Sequence, residues 1–148
     1  MSGDCNSRRT PNDMLSPTSS IHAVFRIASV LVLIAVLVLS FLPSDSADPM
    51  RVFSWNSVDL SHVVAYASLA GAALLSVPKL TLWQGIGIVF AISLLGGVIE
   101  LLQPLVGRTT SVVDFAENEV GIAIGIAIFC VYWFGQKIRA RAQRPADG

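Results

Sequence analysis

Seven polar side chains stand where two apolar runs of this sequence meet, and their types suit proton transfer and anion recognition. Glu100 and Gln103 lie near the end of one run, Arg108 and Ser111 in the connection, and Asp114, Glu117 and Asn118 at the opening of the next. His62 and Tyr66 open an earlier run four residues apart, a spacing that puts both on one helix face. Charged groups near lipid are costly and usually face a bundle interior or a wet cavity. This set therefore marks the candidate site.

Glu100 sits in the apolar end of its run, where a carboxyl can serve as a general acid or base near neutral pH. His62 is its candidate partner in proton transfer, and Tyr66 offers a hydroxyl. Arg108 presents a planar fork suited to phosphate or carboxylate, supported by the partial positive charge of nearby helix N-termini. Gln103, Ser111, Asp114 and Asn118 complete a binding set. Structural work is open to the same residues. Arg108 can pair internally with Asp114 or Glu100. Asp114 can cap a helix, with Glu117 three residues on as its capping-box partner. Gln103, Ser111 and Asn118 can orient their neighbours. No Ser or Cys nucleophile has a base at motif spacing, and no His-rich set or Cys/His spacing signals a metal or other cofactor. Cys5 lies in a polar tail and Cys130 within an apolar run, a poor pair for a disulfide; Cys130 reads as a small packing residue.

The elements that must hold these residues are membrane helices. The chain has 148 residues, of which 53% are hydrophobic and 14% charged, with mean hydropathy +0.67; a soluble domain carries roughly 25% charged residues. The composition predicts an all-α integral membrane bundle of four transmembrane helices, with a disordered tail over 1–21, the helical domain over 22–136 and a basic tail over 137–148. His22 falls in the leading tail, where solvation is expected. The crossing segments are expected at about 24–42, 58–77, 80–103 and 115–134, each near the ~20 residues that span a bilayer. Asp59 is placed to cap the second. Pro43, Pro78 and Pro104 end the first three, because the residue before a proline is pushed out of helix. Gly121 and Gly125 form a GxxxG pair that permits close helix approach. Phe53, Trp55, Trp83, Tyr132 and Trp133 suit the interfacial belts. Ser7-Arg8-Arg9 is followed by polar residues, unlike an export signal. A net charge of zero gives no reason to expect nucleic acid.

The Lys/Arg bias sets orientation. Arg8, Arg9, Arg26, Lys79, Lys137, Arg139, Arg141 and Arg144 fall on one side of a four-helix bundle, and Arg51 and Arg108 on the other. Both termini are therefore expected in the cytoplasm. His62, Tyr66, Glu100, Gln103, Arg108, Ser111, Asp114 and Asn118 then gather at the outer face.

The ordered set Asp59-x-x-His62-x-x-x-Tyr66, Glu100-x-x-Gln103 and Gly107-Arg108-x-x-Ser111-x-x-Asp114-x-x-x-Asn118-x-x-Gly121 resembles the VanZ-like family of small membrane proteins, over 58–128. The resemblance implies a multi-helix protein of the bacterial cell envelope, in a family whose founding member is associated with resistance to the glycopeptide teicoplanin. Leu60 follows Asp59 where the family's usual opening has lysine, which removes a second cation beside His62.

Three functions follow from these residues. The first is binding of an anionic envelope-lipid or lipid-linked cell-wall precursor at the outer face through Arg108 and its neighbours. The second is an intramembrane hydrolase or transferase with Glu100 and His62 as acid and base. The third is a structural membrane partner whose polar network holds the bundle together. Membrane lipids are the expected surroundings in all three, and oligomeric state has no signal in the sequence.

Overall fold

The computed structural model describes residues 17–42, 54–55, 58–108 and 111–143. Four helices dominate them: α1 (Pro17–Ser40), α2 (Leu60–Leu75), α3 (Leu82–Leu102) and α4 (Val112–Ala142). A two-residue pairing of β1 (Ser54–Trp55) with β2 (Val58–Asp59) leads into α2. Three helical stretches, Ser20–Ser40, Leu82–Val106 and Val112–Ala142, are long and apolar enough to cross a membrane. The expectations for Arg51 and Phe53, for Cys5 and for most of the leading tail lie outside the described residues, as do those for the side chains of Trp55 and Asp59.

The second predicted crossing is shorter than expected. α2 has 16 residues, about 24 Å at 1.5 Å per residue, against a hydrocarbon core of about 30 Å. It is the inner helix: Tyr66, Leu69, Ala70, Gly71 and Leu74 are all buried. α1 is its opposite. Apart from Val36, its described side chains are partly or fully exposed, with Val24, Ile27, Leu31 and Val38 all more than half exposed. An all-round apolar helix of this kind presents most of its surface to lipid.

α1 also starts earlier than the sequence suggests, so residues 17–21 are helical and His22 is not in a tail. His22 is half-buried, with Nδ1 2.8 Å from the carbonyl oxygen of Leu75. Arg26 Nε donates to the carbonyl of Ser76 at 3.4 Å. Both meet the C-terminal end of α2, where orphan carbonyls and the negative end of the helix dipole favour donors and cations. His22→Ala is expected to lower stability by about 1 kcal/mol, the net worth of one such bond. Thermal unfolding in detergent checks this, and an unchanged midpoint would show that the bond contributes nothing.

α3 begins at a capping box: Thr81 Oγ1 accepts from Gln84 N at 3.3 Å, and Gln84 Oε1 accepts from Thr81 N at 3.0 Å. It runs antiparallel to α2 and α4. Pro104 tightens its end into a 3-10 turn, Gln103–Val106, and Gly107 at φ +77° turns the chain away. Glycine suits that left-handed position because it has no Cβ to clash.

α4 corrects the sequence expectation at both ends. Its N-cap is Ser111, whose side chain accepts from Asp114 N at 3.1 Å. Asp114 is thus a first-turn residue and not the cap, and Glu117 is buried within the helix and not a capping partner. At the other end the helix continues to Ala142. The stretch Gln136-Lys137-Ile138-Arg139-Ala140-Arg141-Ala142 consists mostly of good helix formers and meets no proline. Lys137 Nζ sits 3.5 Å from the centre of the Trp133 ring, a cation–π contact beside the expected interface. Cys130 is exposed on the outside of α4, so it does not pack inside the bundle.

The closest helix contact is between α2 and α4, which run parallel. A Cβ on Gly121 would lie 2.5 Å from the Val63 carbonyl oxygen, and one on Gly125 would lie 2.6 Å from that of Ala67. The GxxxG pair thus seats the backbone of α4 directly on that of α2. This contact fixes the height at which the N-terminal turns of the two helices meet the C-terminal end of α3.

Candidate functional site

Three polar side chains from three helices meet at one end of the bundle. His62 comes from the first turn of α2, Glu100 from the last turns of α3 and Asp114 from the first turn of α4. One ligand atom of each, an imidazole nitrogen or a carboxylate oxygen, lies within 4.8 Å of the other two. Glu100 is 4% exposed, while His62 and Asp114 are half-buried. The Glu100 carboxylate is also tied to the connection before α4, because Oε2 accepts from Ser111 N at 3.3 Å. Ser111 therefore does two things: its hydroxyl starts α4 and its amide holds Glu100.

A second polar layer lies one helical turn deeper. Tyr66 follows His62 by four residues, Asn118 follows Asp114 by four, and Gly96 precedes Glu100 by four. The helical repeat stacks each beneath its partner. Their proximity is direct: a Cβ on Gly96 would lie 3.2 Å from the Tyr66 hydroxyl and 3.3 Å from Asn118 Nδ2. Gly96 is therefore small because this layer is full. Asn118 is 1% exposed, and neither its Oδ1 nor its Nδ2 has a hydrogen-bond partner among the described residues.

Gln103 is equally buried, at 1% exposed, in the 3-10 turn that ends α3. Its backbone carbonyl accepts from Arg108 N at 3.2 Å, closing the turn that carries the arginine. Its side-chain Nε2 has no partner among the described residues. Arg108 stands at the rim, half-buried, and its Nη1 donates to the Leu39 carbonyl at the end of α1 at 3.3 Å. That contact places a cation at a helix C-terminus, which the dipole favours, and it joins α1 to the site.

Of the residues singled out from sequence, His62, Glu100, Asp114 and Ser111 form the upper layer and Tyr66 and Asn118 the lower. Gln103 closes the end of α3, and Arg108 guards the edge. Two features escaped sequence inspection. Deeper in the bundle, Ser93 Oγ donates to Glu119 Oε1 at 2.6 Å between α3 and α4; the two are 26 residues apart, so no local spacing signals the pair. The grouping of His62, Glu100 and Asp114 as one set of metal-type ligands is also invisible locally, because each ligand comes from a different helix.

Chemically, the arrangement offers two carboxylates and an imidazole in the upper layer, a hydroxyl and an amide beneath, and a guanidinium at the lip. No family model, curated protein or solved structure matches the chain, so the geometry of this end of the bundle carries the functional argument.

Proposed function

We propose that this chain is a VanZ-like membrane protein of the bacterial cell envelope that binds an anionic lipid headgroup or lipid-linked cell-wall precursor at the polar end of its bundle. In this reading all four helices cross the bilayer, both termini are cytoplasmic and the polar end faces outward. A link to glycopeptide resistance of the teicoplanin type comes with the family resemblance.

The observation that carries the proposal is the buried polar end itself. Asn118 and Gln103 keep amide groups buried without partners among the described residues, and native proteins rarely tolerate such groups unless something else satisfies them. Interhelical polar bonds contribute only about 0.6 kcal/mol on average in a membrane. Simple glue is thus a weak reason to bury so many. Arg108 supplies the anion contact. One of the five guanidinium donors is engaged by Leu39 among the described residues, and the planar fork suits a phosphate or carboxylate.

Binding is tested with purified protein in detergent. Phosphatidylglycerol or a polyprenyl phosphate is expected to raise the unfolding midpoint of wild type, and Arg108→Ala is expected to weaken that lipid's affinity at least ~10-fold, a loss of about 1.4 kcal/mol. Equal protection of both proteins, or of neither, would rule the proposal out. Orientation is tested separately: a cysteine at position 108, with Cys5 and Cys130 changed to serine, should react with an impermeant thiol reagent added to intact cells.

An enzymatic reading has its own observation, the approach of His62 to Glu100 within 4.8 Å. It would make the pair acid and base toward a lipid-linked ester or phosphate. Turnover that is abolished in Glu100→Gln would favour it over binding alone.

A further inference from the structure

We propose that His62, Glu100 and Asp114 bind a single divalent cation of the zinc or manganese kind, with Asn118 positioning a water molecule on it from below. The inference goes beyond lipid binding: it shares the open Asn118 amide with that reading, but it rests on the three-ligand set, which lipid binding does not use.

The donor set is one imidazole nitrogen and two carboxylate oxygens, brought to within 4.8 Å of one another from α2, α3 and α4. Ligands on a tetrahedral ion with bonds of 2.0–2.2 Å stand ~3.4 Å apart, so small side-chain rotations that close the three atoms by up to ~1.4 Å complete the site. Imidazole suits zinc and similar metals, and carboxylates suit harder ions such as manganese. Three protein ligands are also the number that leaves a coordination position open to water.

The charge balance favours a cation. Two carboxylates supply two negative charges within a few ångström. The N-termini of α2 and α4 oppose a cation with about +0.5 each, and the C-terminal end of α3 favours it with about −0.5. The carboxylates exceed that opposition several-fold. A divalent ion would also remove the mutual repulsion of Glu100 and Asp114, which no pairing of one carboxylate alone achieves.

The independent sign of a ligand is Asn118. Its amide lies one helical turn below Asp114 on α4, against Gly96, which lies one turn below Glu100 on α3. It is 1% exposed, and both its acceptor and its donor lack partners among the described residues. A buried carboxamide with both ends open needs an occupant that can donate and accept. A metal-bound water does both: its hydrogen reaches Oδ1 and its oxygen accepts from Nδ2. Water-orienting residues of this kind tune metal sites from outside the coordination shell.

The test uses the full-length protein in detergent, stripped with EDTA and titrated with Mn²⁺ or Zn²⁺ with no anionic lipid added. Wild type is expected to bind one equivalent. Affinity should fall at least ~100-fold in Glu100→Gln and Asp114→Asn and about 10–100-fold in Asn118→Leu. It should be unchanged in Glu119→Gln, whose carboxylate is held by Ser93 deeper in the bundle. Co²⁺ added to wild type should give ligand-field bands without thiolate charge-transfer bands. This reads the donor set even where a variant does not fold. Absence of saturable binding, binding that survives both carboxylate changes, or thiolate bands from Cys5 or Cys130 would each overturn the proposal. Lipid protection, measured on metal-free protein, succeeds or fails separately.

Discussion

Gly125→Ala is expected to destabilise the bundle by about 3 kcal/mol, at the upper end of the overpacking range, whereas Gly71→Ala on the facing helix is expected to be neutral or slightly stabilising. The two positions touch across the same interface, so composition alone would treat them alike. Their surroundings differ. A Cβ on Gly125 would meet Ala67 O at 2.6 Å, Ala70 Cβ at 2.9 Å and Gly71 N at 2.9 Å. Two of these are backbone atoms inside a helix, which cannot swing aside as a side chain can. A Cβ on Gly71 would meet only Gly125 O at 3.7 Å and Gly125 Cα at 3.8 Å, ordinary van der Waals contact. There the usual gain of alanine over glycine within a helix, roughly 0.5–1 kcal/mol, is free to appear. Unfolding midpoints in one detergent compare the two directly. Equal midpoints for the two variants would mean that α2 and α4 are not seated backbone to backbone.

This interface also governs the site. Gly121 and Gly125 set the depth at which α4 lies on α2, and that depth brings Asp114 level with His62. A variant that pushes the helices apart should therefore loosen the triad even though it lies several turns away. The GxxxG spacing was legible in the sequence because small residues four apart have a single geometric consequence in a helix. Convergence of His62, Glu100 and Asp114 was expected from alternating helix direction and charge bias, since one end of three helices had to carry them.

Other features were legible only in part. The end of α2 is such a feature: hydropathy continues to Val77, while Ser76 folds its hydroxyl onto Ala73 O and the helix closes at Leu75. His22 reads as solvated because it is a lone polar residue before an apolar run, and its partner, the Leu75 carbonyl, is distant in sequence. The choice of Ser111 over Asp114 as N-cap is a competition between two good capping residues three apart. The chain settles it by using the Ser111 amide to hold Glu100. Sequence shows which residues can cap, but not which one a neighbouring helix needs.

The second large effect expected is a gain in stability from removing a polar group. Asn118→Leu should stabilise the metal-free, lipid-free protein by about 1–3 kcal/mol, the usual cost of a buried polar group left without its partner. Leucine keeps the branched outline of asparagine and trades an open amide for an apolar surface; its two methyl groups are bulkier than the amide, so overpacking offsets part of the gain. The side chain is 1% exposed, and both of its polar atoms lack partners among the described residues. Nothing measured in the empty protein would then be lost. If Asn118 instead served only as interhelical glue, the same substitution should cost about 0.6 kcal/mol. The two accounts thus predict opposite signs. Unfolding of wild type and Asn118→Leu, each with and without Mn²⁺, reads both at once. A stabilised variant that no longer responds to the ion would mean that this amide is kept buried, at a cost to the fold, for what it holds. A destabilised variant with an undiminished response would assign Asn118 to the framework and leave the triad without its floor.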